Sequence, residues 1–188
     1  DHIYNMDYRK IISFHQDKKA DLTVGFTEVP REGAHRFGLA DIKDEEARGG
    51  RVLQYVEKPA NPSFYWASLT IYVFKTKLLI EALEENSNAE SHEFGRDIIP
   101  YFLNKYRVFG YKHQGYWGYT RTPDEYWQTN MDLLGATPRI DIKSWKVMTN
   151  LAHHNIQDRQ PAVVGSSAII KNSLFYAGCY IQGTVVNS

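Results

Sequence analysis

The stretch Arg51-Val52-Leu53-Gln54-Tyr55-Val56-Glu57-Lys58-Pro59 decides how this chain is read. Alternation through Val52 and Val56 predicts a β-strand with those two residues on its apolar side. Pro59 ends the ladder, because proline has no N–H to donate. The strand thus delivers an acid and a base side by side. A carboxylate held beside an ammonium can grip a ligand that is hydroxylated on one side and anionic on the other, as a sugar phosphate is. Lys58 then takes the phosphate as a point charge, and Glu57 accepts sugar hydroxyls. The plainer alternative is a surface ion pair capping an edge strand, and three residues alone do not separate the two.

Outward from this strand, residues 37–42 form its hairpin partner across a charged, glycine-ended loop, residues 43–50. Residues 67–74 read as a buried apolar strand, residues 22–26 as a β-rich segment and residues 108–111 as a short strand. Helical spacing appears in residues 8–19, with Tyr8, Ile11, Ile12 and His15 on one face. It recurs in residues 76–84, with Leu78, Leu79, Ala82 and Leu83 inward and Thr76 as N-cap. Residues 94–106 and 122–134 read as further helices, the last with Thr122 as N-cap and Pro123 in its first position. Strands interleaved with helices predict an α/β layer.

The chain has 188 residues, enough for one domain with a real core, or one domain plus an appendage. Its 22 basic and 22 acidic side chains cancel, so no electrostatic case exists for nucleic acid or an anionic membrane as partner. No apolar run approaches membrane-spanning length. Cys179 is the single cysteine, which excludes an internal disulfide and fits a cytoplasmic location. Residues 138–160 are polar and aperiodic and read as a linker. His153-His154 within it has no acid or cysteine at ligand spacing and reads as solvated. Beyond it, Ser167, Ser173, Cys179 and Val185 recur every six residues, as do Ile169, Phe175 and Ile181. That hexad reads as β-helix coils, with an ordinary meander as the alternative.

In order and spacing, several stretches resemble the sugar-1-phosphate nucleotidyltransferases, nearest to the branch that adenylylates glucose 1-phosphate. They are the opening residues 1–8, residues 56–62 (VEKPANP), residues 93–100 and Gly115-Tyr116-Trp117. The resemblance implies the C-terminal part of a Rossmann-like mixed sheet over residues 1–135 and a linker over 136–161. Residues 162–188 would be the first coils of a left-handed β-helix. It implies transfer of an adenylyl group from ATP to glucose 1-phosphate, giving ADP-glucose and pyrophosphate with Mg²⁺ as cofactor, in a cytoplasmic homo-oligomer, a tetramer in the family. The family's glycine-rich nucleotide loop is not found here, so the resemblance also implies a fragment without the nucleotide-binding half, itself inactive.

Residue by residue, the resemblance makes Asp1 a metal-holding and catalytic aspartate, Lys58 the catalytic sugar-phosphate anchor and Glu57 the hydroxyl acceptor. Gly38 would let the backbone approach the sugar. Ser68, Tyr72, Glu93 and Phe94 would line the sugar, and Trp117 would stack on it. Plainer roles stand beside these: a helix-capping acid for Asp1, a strand glycine for Gly38, core packing for Ser68, Tyr72 and Trp117. One stretch departs from the family. Where the family reads Arg-Asp-Val-Gly-Thr, this chain reads Gly118-Tyr119-Thr120-Arg121-Thr122, and a phenol replaces the second metal carboxylate. A phenol with a pKa of about 10 is a poor magnesium ligand. The alternative reading is therefore a catalytically impaired, regulatory-type subunit that binds sugar phosphate.

Overall fold

The computed structural model describes residues 2–147 and 161–188, so Asp1 and His153-His154 lie outside the described residues. The elements in chain order are β1 (His2–Tyr4), α1 (Tyr8–Asp17), β2 (Leu22–Glu28), β3 (Gly38–Ile42), β4 (Gly49–Glu57) and β5 (Trp66–Phe74). There follow α2 (Thr76–Glu85), α3 (Ile99–Lys105), β6 (Val108–Lys112), β7 (Trp117–Tyr119) and α4 (Pro123–Met131). The short strands β8 (Val163–Val164), β9 (Ile169–Lys171), β10 (Tyr180–Ile181) and β11 (Thr184–Val186) complete the series. Two compact units result: Met6–Gly115, and Asp1–Asn5 together with Tyr116–Ser188.

In the Met6–Gly115 unit the predicted hairpin is present: β3 pairs antiparallel with β4, from Gly38 opposite Glu57 to Ile42 opposite Val52. The sheet is mixed, in the order β2-β5-β3-β4-β6, with β6 returning to pair parallel with β2. Its five strands therefore close on themselves rather than lying open. Leu22, Val24 and Phe26 alternate onto one face of β2, where they pack with Ala82 of α2 and with Ile99 and Phe102 of α3. On the opposite side, Ile11 and Phe14 of α1 pack against Phe109 and Tyr111. The His15 ring is buried there, its Nδ1 2.9 Å from Thr23 Oγ1. Burial, and then the nearby Lys75 charge, hold His15 below the ordinary histidine pKa.

Several helix details differ from the sequence reading. Tyr8 and Ile12 are exposed, because the buried stripe of α1 runs through Ile11, Phe14 and His15 instead. Thr76 lies inside α2 and Lys75 takes the N-cap position without a side-chain bond, while Leu83 faces solvent. Residues 94–106 are not one α-helix: a wide π-turn, Phe94–Ile98, precedes α3. Such π-turns concentrate at functional sites. β5 is buried at Ala67, Ser68 and Leu69 but only half-buried from Ile71 to Phe74.

Asp21 fastens three segments of this unit. Its carboxylate accepts from Lys75 Nζ at 2.5 Å, from the Arg107 backbone N–H at 2.9 Å and from Arg107 Nε at 3.3 Å. Its backbone carbonyl also accepts from the Lys75 N–H. Burial alone would raise the Asp21 pKa, but these hydrogen bonds prevail and hold it below the ordinary value.

In the other unit, β1 pairs antiparallel with β7. The sequence signals for α4 hold: Thr122 caps it through a reciprocal box with Glu125, and Pro123 fills the first position. The helix stops at Met131, three residues before the predicted end, where Asp132 turns to other work. Its carboxylate accepts from Tyr116 Oη at 2.7 Å and lies 3.3 Å from Arg139 Nη1, and its carbonyl accepts from the Ile140 N–H. Ile140 is buried as a result. Farther on, β10 pairs parallel with β8 and β11 with β9. Val163 faces Tyr180 and Ile169 faces Thr184, a coil of roughly 16 residues rather than the ~18 of three strict hexads.

Candidate functional site

Strict alternation along β4 would bury Val52, Gln54 and Val56. The structure buries Val52 and Tyr55 instead and leaves Leu53 and Gln54 exposed. The cause is a register shift: Asp41 pairs with Gln54, but the next residue, Ile42, pairs with Val52. Leu53 is the extra residue of a β-bulge, and a bulge re-aims every side chain beyond it. Tyr55 and Glu57 consequently share the inner face, and Val56 loses the place that alternation gave it.

Glu57 ends β4 with a half-buried carboxylate. Its Oε2 accepts a 2.8 Å hydrogen bond from Tyr55 Oη, and its Oε1 lies 3.5 Å from Lys58 Nζ. The Glu57 side chain is 18% exposed and that of Lys58 53%, so the acid is the inner partner and the ammonium the outer one. Lys58 holds a left-handed backbone, φ +46°, with its N–H on the Phe37 carbonyl. A non-glycine residue in that region is strained, and such strain collects at ligand sites.

Two glycines make the space. Gly38 stands directly across the ladder from Glu57, and a Cβ there would lie 2.5 Å from Glu57 Oε2 and on top of the Tyr55 hydroxyl. A Cβ on Gly95 would run into the same oxygen and lie 2.8 Å from Glu57 Cδ. Gly95 belongs to the π-turn, which Asp97 ties down by accepting from the Ser91 hydroxyl and the Glu93 N–H, both at 2.7 Å. Those bonds, Ser91's first, hold the Asp97 pKa below its ordinary value.

The wall beside this slot is aromatic. Tyr72 and Phe94 stack with centroids 5.3 Å apart and planes 11° from parallel, and Phe74 meets Phe94 at 5.9 Å. Ser68 is buried and accepts from the Thr70 N–H at 3.2 Å. Burial raises the Tyr55 and Tyr72 phenol pKa values; for Tyr55 the Glu57 carboxylate raises it further.

Of the residues singled out in the sequence, the structure thus gathers Gly38, Glu57 and Lys58 at one point, with Ser68, Tyr72 and Phe94 around them. Glu93 is exposed, its carboxylate 3.9 Å from Arg96. Tyr55 and Gly95 were missed. Alternation through Val52 and Val56 puts Tyr55 on the outer side, and Gly95 sits as an isolated glycine in the stretch 94–106 that reads as helix. Trp117 falls in the other unit, where it stacks on Tyr119 at 5.8 Å and donates from Nε1 to His2 Nδ1 at 3.2 Å. Arg121 Nη1 reaches the Tyr119 hydroxyl at 3.4 Å. No group of three or more His, Cys, Asp or Glu side chains suited to a metal occurs among the described residues. No helix among them is long and apolar enough to cross a membrane.

Comparison with known proteins bears on this arrangement. The nucleotidyl transferase family profile matches residues 1–135. The chain belongs to that family. Among curated relatives of the family, glucose-1-phosphate adenylyltransferase of Clostridium novyi is 39% identical over 193 residues, covering all of this chain and 48% of the relative. Proteins of that name from Thermosipho melanesiensis and Geobacillus stearothermophilus are 38% and 37% identical, again over the whole chain, covering 44% and 48% of their length. The chain therefore spans about half the length of the curated relatives it matches. The Glu57–Lys58 pair and its two glycines lie within the matched family region.

Proposed function

We propose that the protein transfers an adenylyl group from ATP to glucose 1-phosphate, giving ADP-glucose and pyrophosphate, as its relatives' name describes. Within that reaction these residues hold the sugar phosphate. The supporting observation is the asymmetric Glu57–Lys58 pair. One carboxylate oxygen is fixed inward by Tyr55, the other faces outward, and an exposed ammonium stands beside it. Lys58 Nζ neutralises the phosphate, and Glu57 Oε1 accepts sugar hydroxyls. The attacking group is a phosphate oxygen of glucose 1-phosphate, and the bond that breaks joins the α- and β-phosphorus groups of ATP. The work of Lys58 and Glu57 is to hold the nucleophile in place.

Magnesium belongs to this proposal, where it would neutralise charge on the nucleotide phosphates. Asp1 is the proposed ligand and lies outside the described residues. At the second position that the family resemblance assigns to the metal stands Tyr119, engaged by Arg121 and Trp117, so the described residues do not fit the ion. That substitution favours a second reading, in which the protein is a regulatory-type subunit that binds sugar phosphate without turning it over. Formation of ATP from ADP-glucose and pyrophosphate by the protein at its natural length tests the two readings. Turnover supports the enzyme, whereas glucose 1-phosphate binding without turnover supports the regulatory subunit. A left-handed β-helix over residues 162–188, a tetrameric assembly and a cytoplasmic location complete the proposal. The parallel pairing of β8 with β10 and of β9 with β11 supports the first of these.

A further inference from the structure

The sugar-phosphate reading explains Glu57 and Lys58 but leaves Tyr55 with no task. Tyr55 is 8% exposed, and its hydroxyl is spent on Glu57 Oε2 rather than on the backbone. The ring is already well placed as core between the sheet and α3, and phenylalanine would fill that space as well. The hydroxyl is the part that requires explanation.

A carboxylate can only accept, so Tyr55 must be the donor in this bond. Its oxygen is then left to accept. Ser68 Oγ accepts from the Thr70 N–H. Thr70 sits at φ +57°, a costly conformation for a β-branched residue, at the register shift between β2 and β5. The direction of the bond at Glu57 is therefore fixed, from the Tyr55 hydroxyl to Oε2. Gly38 and Gly95 close the slot on either side, each lacking the Cβ that would displace the carboxylate.

We propose that Tyr55 is a positioning residue for sugar recognition: its hydroxyl pins Glu57 Oε2 in the glycine slot, so that Oε1 alone is presented to the hydroxyls of the sugar. This rests on the sugar-phosphate reading and deepens it. The pinned carboxylate has one rotamer to offer, so little side-chain freedom is lost when the sugar arrives. A free glutamate would instead turn both oxygens toward the neighbouring ammonium. Tyr55 thus serves the sugar half of the ligand and not its phosphate half, which belongs to Lys58.

The test uses titration calorimetry on the protein at its natural length, with glucose 1-phosphate and inorganic phosphate as separate probes. Tyr55→Phe keeps the ring and removes the donor. Its affinity for glucose 1-phosphate should fall by about tenfold, the scale of one hydrogen bond to a charged group, while that for phosphate stays within about twofold. In a Glu57→Ala background the same Tyr55→Phe change should have no further effect, as a cycle between coupled residues requires. Equal losses for both probes would make Tyr55 a merely structural residue and overturn the proposal, as would an unchanged affinity for glucose 1-phosphate. If Glu57→Ala itself leaves glucose 1-phosphate binding intact, or the unmodified protein does not bind that ligand, the underlying reading fails instead.

Discussion

Asp21 and Glu57 are both carboxylates at a strand end, and each has a half-exposed lysine within reach. Asp21 stands just ahead of β2 with Lys75 at 2.5 Å; Glu57 closes β4 with Lys58 at 3.5 Å. Around Asp21 both oxygens are bonded within the protein, Oδ1 by Lys75 and Oδ2 twice by Arg107. Around Glu57 one oxygen is filled by Tyr55 and the other is left in a loose contact with an ammonium. The backbone differs too. Lys58 is held in a left-handed conformation that an unconstrained chain would avoid, and Lys75 is not among the residues so held. An ion cluster with both carboxylate oxygens directly bonded fastens a fold, whereas a half-used one under backbone strain is poised for something that is not protein. Sequence adjacency of acid and base does not tell the two apart; the count of filled acceptor positions does.

The comparison breaks most directly at Asp21. Asp21→Ala should lower unfolding free energy by about 1–3 kcal/mol, since it strands the Arg107 N–H, while the half-exposed Lys75 and Arg107 charges return to water. Urea unfolding measures it, and the folded fraction should bind glucose 1-phosphate as before. A loss below about 1 kcal/mol, or a selective loss of the ligand, would erase the distinction between the two carboxylates. Lys58→Ala should do the reverse. The apparent KM or Kd for glucose 1-phosphate should rise about ten- to a hundredfold, a charge-assisted contact worth roughly 1.5–3 kcal/mol, with stability and the ATP KM little changed. Lys58→Arg should rescue only in part, because a planar fork replaces a compact ammonium poorly.

A finer test exploits the strain. Lys58→Gly should lose the ligand like the alanine variant yet gain about 0.5–1 kcal/mol of stability, because glycine occupies positive φ without penalty. A variant less stable than Lys58→Ala would show that the left-handed turn carries no strain. The smallest effect concerns acid. His15 has a folded pKa below its ordinary 6.5, so the unfolded chain takes the proton first. Its contribution to stability is complete above pH 6.5 and is lost as pH falls from there through the lower folded value. Asp21 behaves alike in a lower window, full above its ordinary 3.8 and lost as pH falls through its depressed folded value. Unfolding measured across pH should therefore show a shallow decline that His15→Gln removes, followed at lower pH by a second one that Asp21→Ala reduces, Asp97 contributing to it as well.

Much of this was legible in the chain. The β3–β4 hairpin, the α4 cap at Thr122 and the Glu57–Lys58 pair all rest on local signals: alternation, a capping box, a proline stop. What was not legible depends on partners far along the chain. The Leu53 bulge arises only from pairing with β3, and it alone turns Tyr55 inward. The closure of the sheet needs β6 to find β2, more than eighty residues earlier in sequence for Leu22 and Val108. The role of Asp21 is not legible in the sequence because nothing nearby announces Arg107. The π-turn reads as helix because a single glycine does not break the helical pattern that runs on into α3, while the contact of Gly95 with Glu57 is tertiary.

The glycine slot also governs how this part of the protein can change over generations. Gly38, Tyr55, Glu57 and Gly95 come from three separate segments but share one small volume. No single enlargement at either glycine is admissible while the acid keeps its place, and a shorter acid at 57 would remove the reason for both glycines. The four positions therefore form one unit of inheritance: a lineage that alters one must alter another or abandon the site. Relatives that have traded this ligand for a different one should carry simultaneous replacements at these positions, not scattered ones.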